Sequence, residues 1–149
     1  MPIEQGSQPG QQYEQKESLV ENKIEEFREE QKELAENLER KPNAKTVEEL
    51  LFSLSLESLT ERGINQYDEA VMTAERMVAE SRDLALREDL DQETRERVNV
   101  MMEEGLKRLK EAAESGYIYY LAGGDHTKAK GMAGKIKEYF DKEFGEKLE

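Results

Sequence analysis

Between Thr46 and Leu59 the chain reads TVEELLFSLSLESL, its densest apolar stretch. Thr46 and Glu49 have the spacing of a capping box, in which each side chain satisfies a free backbone N–H, so a helix is expected to open there. Its apolar residues do not keep to one stripe. Leu50, Leu51 and Leu54 share a face, whereas Phe52, Leu56 and Leu59 point elsewhere. Such a helix needs cover on several sides, supplied either by other helices of the chain or by a partner.

The surroundings are polar. Hydrophobic residues make up 36% and charged residues 38% of the 149, a balance that suits long amphipathic helices with thin buried stripes. Pro is scarce, and Val, Ile and Thr are too few for several strands. The expected fold is all-α, a bundle of about five antiparallel helices behind a disordered N-terminal tail.

The formal charge of −13 disfavours direct nucleic-acid binding, which needs a basic surface to release counterions. It suits a basic protein partner, or solubility alone. With no Cys there is no disulfide framework and no thiolate chemistry. No run approaches the length of a membrane span and no basic-then-apolar segment opens the chain, so no membrane association and a cytoplasmic setting are expected.

Residues 1–16, rich in Gln, Gly and Pro, form the expected tail, since they bury too little to offset their ordering entropy. A seam helix is expected over 17–41. Ser18 with Glu21 reads as its capping box, and Val20, Ile24, Phe27, Leu34 and Leu38 follow a heptad rhythm that Gln31 interrupts. Pro42 breaks that helix, and the bundle proper is expected over 46–145. There the Leu-rich helix runs to about Glu61 with Gly63 as its cap. A third helix presents Ala70, Val71, Ala74, Met77, Val78 and Leu84 at helical spacing. A fourth, capped by Asp91 or Thr94, carries Val98, Met101, Leu109 and Tyr120 with the small residues Gly105, Ala112 and Gly116 on its inward face. After Gly123-Gly124 a last helix carries Ala129, Met132, Ala133, Ile136, Phe140 and Phe144.

Two stretches resemble known helical hairpins. Tyr117 to Phe140, YIYYLAGGDHTKAKGMAGKIKEYF, resembles a tetratricopeptide-repeat turn, with Tyr120 as the first-helix aromatic, Gly124-Asp125 as the turn and Ala129 as the small residue opening the second helix. Asn65 to Ala113 is similar to the second and third helices of microtubule-interacting-and-transport domains, through Tyr67-Asp68-Glu69-Ala70 and RLKEAA at Arg108 to Ala113. The resemblance implies hairpin geometry and a bias toward binding peptides.

Chemistry-bearing patterns are sparse. His126 is the sole histidine, which excludes any multi-histidine metal site. It lies in GGDHT, where backbone N–H groups with Lys128 and Lys130 could hold an anion, although a Gly turn with an Asp or Thr cap explains the motif more simply. Glu25, Glu26 and Glu29, with Glu80 and Asp83, have the spacing of magnesium-binding carboxylates, but a Glu-rich chain produces such spacings without a site. No enzyme activity, cofactor or metal is expected.

The expected function is a non-enzymatic protein–protein interaction module, adaptor-like or chaperone-like, that binds a partner peptide or helix. Its candidate surface is Leu50, Phe52, Leu54, Leu56 and Leu59 with Tyr117, Tyr119 and Tyr120. The alternatives are a homodimer through the Val20–Leu38 seam and an acidic inhibitor that occupies a basic groove.

Overall fold

A computed structural model describes the backbone of residues 9–140 and the side chains of residues 18–140. Five helices follow one another: α1 (Pro9–Arg40), α2 (Ala44–Gly63), α3 (Tyr67–Ala85), α4 (Gln92–Ala122) and α5 (His126–Tyr139). No strand occurs among the described residues. Each helix packs against its neighbour in sequence, and α2 additionally lies against α4. The all-α bundle is therefore as expected.

The boundaries shift for local reasons. α1 continues N-terminally past Leu19 to Pro9, whose preset φ suits a first helical position. Ser18 consequently lies inside the helix and does not cap it. Of the expected disordered tail over 1–16, residues 1–8 lie outside the described residues, whereas the backbone of 9–16 is the first part of α1. α2 opens at Ala44, where the Asn43 side chain accepts from the Thr46 N–H at 2.9 Å, so Asn43 is the cap in place of Thr46. Asp91 caps α4 and Asp125 caps α5 in the same way.

Two helices end alike. Beyond α2 the Gln66 N–H donates to Glu61 O at 2.8 Å and the Asn65 N–H to Arg62 O at 3.1 Å, with Asn65 at φ 62°. Beyond α4 the Asp125 N–H donates to Tyr120 O at 2.8 Å and the Gly124 N–H to Leu121 O at 3.1 Å, with Gly124 at φ 81°. Both are Schellman closures. Asn65, not Gly63, takes the left-handed position after α2, which Asn tolerates better than most side chains.

The apolar core has two parts. Leu34 and Leu38 of α1 join Val47, Leu50 and Leu54 of α2, with Met77, Leu84, Val98 and Met101 from α3 and α4. Ala70, Val71 and Ala74 of α3 meet Leu109, Ala112 and Ala113 of α4 and Met132 and Ile136 of α5, flanked by half-buried tyrosines. Each fully buried Leu contributes about 2 kcal/mol by removal from water. The glycines of α4 serve this packing. A Cβ on Gly105 would lie 3.0 Å from Val78 Cγ2, and one on Gly116 would lie 2.9 Å from Tyr67 Cβ. α4 thus offers its small residues to α3 and α5, not to Phe52, Leu56 and Leu59.

Candidate functional site

Along α2 the inward positions Val47, Leu50 and Leu54 continue, at the same helical spacing, to Glu57 and Glu61. All five are buried. The outward positions of the same helix carry Phe52, 64% exposed, and Leu56 and Leu59, 37% and 36% exposed. In its C-terminal half α2 therefore turns carboxyl groups in and apolar groups out.

On the outer side, Phe52 and Leu56 meet Phe27 of α1 across a shallow cleft of about 490 Å³. Its rim holds Glu30, Glu48, Glu49 and Lys45. Glu48 lies 3.8 Å from Arg97 of α4, while Glu30 and Glu49 have no ion pair among the described residues. An apolar strip with free carboxylates beside it can take an amphipathic helix that carries basic residues at its margins.

On the inner side, Glu57 is surrounded by N–H donors. Arg28 Nε donates to Glu57 Oε2 at 3.1 Å, Gln31 Nε2 to Oε1 at 2.9 Å, and Arg76 Nη2 reaches both oxygens at 3.0 and 3.1 Å. Glu61 receives one such donor, Arg28 Nη2, on Oε2 at 3.1 Å. The Thr73 hydroxyl of α3 lies between the two carboxyl groups, 3.0 Å from Glu57 Oε2 and 2.5 Å from Glu61 Oε1. Gln31 also donates to Ser53 at 3.3 Å and accepts from Arg76 Nη1 at 3.1 Å. The polar interruption of the α1 seam is thereby satisfied, as a buried amide must be.

These surroundings divide the pair. Burial raises the Glu61 pKa and the hydrogen bond with Glu57 raises it further, to about 8, against the opposing pull of Thr73 and Arg28. Burial acts on Glu57 too, but its neighbouring Glu61 carboxyl, the hydrogen bonds from Gln31 and Arg28 and the charge of Arg76 outweigh it, leaving Glu57 below the usual carboxylate range. The surroundings thus favour the charged form of Glu57 and the protonated form of Glu61.

The sequence-selected candidates separate. Leu50 and Leu54 are core residues, 1% and 2% exposed, and leave the candidate surface because α1, α3 and α4 cover them. Phe52, Leu56 and Leu59 stay on it. Tyr117 and Tyr120 pack on the second core cluster, and the Tyr119 ring lies 5.1 Å from that of Tyr67 in a tilted arrangement, so the tyrosines belong to the α3–α5 side and do not join the α2 strip. Of the seam, Ile24, Leu34 and Leu38 are buried within the chain, while Val20 and Phe27 are half-buried. His126 is exposed at the start of α5, where Asp125 caps the helix. Among the described residues no group of three or more His, Asp or Glu side chains converges on a metal position.

The buried carboxyl pair is the feature that periodicity passes over. Its trace in the sequence is the continuation of the Val47–Leu50–Leu54 spacing to Glu57 and Glu61, together with Gln31 in the facing seam.

Fold and site together define an all-α five-helix bundle with an unpartnered apolar edge. No protein-family model, curated protein or solved structure matches the chain. No described helix is long and apolar enough to cross a membrane.

Proposed function

We propose that this protein is a non-enzymatic protein–protein interaction module that receives a partner helix along the outer cleft between α1 and α2. The observation that carries this reading is the exposed strip Phe52, Leu56 and Leu59, three large apolar residues at helical spacing facing solvent beside Phe27. Contiguous exposed apolar surface of this kind, rimmed by polar groups, marks interaction sites. Glu30 and Glu49 on the rim, within a chain of charge −13, favour a partner helix with Lys or Arg flanking its apolar face.

The test is a calorimetric titration with two synthetic amphipathic helices that share one apolar face, one with lysine flanks and one with glutamate flanks. The basic helix binds, binding weakens with salt, and the double substitution Phe52→Ser and Leu56→Ser abolishes it while the circular dichroism spectrum is unchanged. Equal binding of both helices, or of wild type and variant, refutes the reading. So does a chain that is dimeric in light scattering until Phe52 is replaced, because the strip is then covered by a second copy.

A further inference from the structure

We propose that Glu57, Glu61 and Thr73 form a single-proton switch that governs how firmly α1 is seated on the bundle. The argument begins with hydrogen counting. Thr73 has one hydroxyl hydrogen, yet its oxygen lies within hydrogen-bond distance of a carboxyl oxygen on both glutamates. If that hydrogen goes to Glu57, the 2.5 Å contact with Glu61 Oε1 requires a hydrogen from Glu61 itself. The donors decide which glutamate carries it. Arg28, Gln31 and Arg76 converge on Glu57, and only Arg28 reaches Glu61, so Glu61 holds the proton and Glu57 the charge.

The location gives the proton its consequence. Arg28 and Gln31 come from α1, which among the helices packs its backbone closely against α2 alone, while Arg87 beyond α3 donates to its C-terminal Leu38 and Glu39 carbonyls at 3.1 Å. The charged groups facing the pair are Arg28 from α1 and Arg76 from α3, with Glu69 of α3 at 3.7 Å from Arg28. α4 presents Glu104, Arg108 and Glu111 to the other flank of α2, where they engage Ser55 and Arg62. Removal of the proton places a second negative charge in a fully buried site, leaves the Thr73 oxygen with only the longer donor Arg76 Nη2 at 3.3 Å, and draws Arg28 between two competing carboxylates. Relief comes from water entering between α1 and α2. Because Phe27 and Glu30 of α1 wall the outer cleft, the same proton also sets that cleft's shape; this corollary alone rests on the function proposed above.

Hydrogen exchange on the full, unliganded chain tests the switch independently of any partner. After correction for the intrinsic pH dependence of exchange, protection of α1 amides over 24–38 falls at least tenfold between about pH 6 and about pH 9, while that of α4 changes less than threefold, as local opening requires. Glu61→Gln keeps the neutral, hydrogen-bonding form and leaves α1 protected throughout. Carbon-detected NMR of the wild type supplies the second readout, with the Glu61 carboxyl resonance titrating near pH 8 and that of Glu57 unmoved in the same range. A flat α1 protection profile overturns the proposal, as does a Glu61 resonance that titrates in the ordinary carboxylate range. An equal loss of protection in Glu61→Gln overturns it as well.

Discussion

Phe52 is 64% exposed on α2 while Glu57, further along the same helix, is fully buried. The arrangement is stable because Glu57 has four N–H donor contacts and therefore keeps its hydrogen bonds after leaving water. Phe52 remains outside because, five residues from Glu57 on a 3.6-residue helix, it projects from a different face of α2.

Truncations on the two sides of α2 should separate sharply. Leu54→Ala, at a site 2% exposed, is expected to cost about 2–5 kcal/mol in urea denaturation, whereas Phe52→Ala should fall within about 0.5 kcal/mol of wild type. A large loss from Phe52→Ala would show that the residue is covered in solution.

Glu57→Ala should cost about 3 kcal/mol, because it removes the acceptor that Arg28 Nε, Gln31 Nε2 and Arg76 Nη2 share. Equilibrium unfolding at neutral pH measures it. The half-exposed arginines find water in the variant, which keeps the loss at the lower end of the range for broken buried pairs.

Stability should fall as pH rises toward 8. Glu61 has a folded pKa of about 8 against 4.5 for its ordinary value, so across that window the folded chain retains a proton that the unfolded chain has released. Its contribution is complete below the unfolded pKa and is lost as pH climbs through the folded one, with a slope of at most about 1.4 kcal/mol per pH unit. Glu57 acts oppositely: its pKa is lowered on folding, so its contribution is present above the unfolded value and disappears in acid. Glu80, raised by burial and by Asp83 and Glu39, adds to the Glu61 slope, so the comparison that isolates the pair is wild type against Glu61→Gln. Chemical denaturation at a series of pH values supplies both curves.

The glycines give a matched pair. Gly116→Ala should destabilise by about 1–3 kcal/mol, because its Cβ would press on Tyr67 Cβ, an atom fixed to the α3 backbone. Gly131→Ala, at an open helical position with nothing within 4 Å, should stabilise by up to about 1 kcal/mol through helix propensity alone. Thermal melts of the two variants should move in opposite directions.

The local features were legible in the sequence because they depend on neighbours along the chain. The 3.6-residue spacing of Ala70, Val71, Ala74, Met77 and Val78 places a helix whatever lies beside it, and all five are buried in α3. Asp91 and Asp125 cap for the same reason, since an aspartate reaches only the N–H groups of its own first turn. The Thr46–Leu59 stretch announced that it had more than one apolar face but not which face would be covered. Only the tertiary structure decided that. Burial of Glu57 and Glu61 depends on Arg28, Gln31, Thr73 and Arg76 arriving from two other helices, and none of those side chains is a near neighbour in sequence. A carboxyl group is exposed or buried according to its donors, and long-range packing brings the donors.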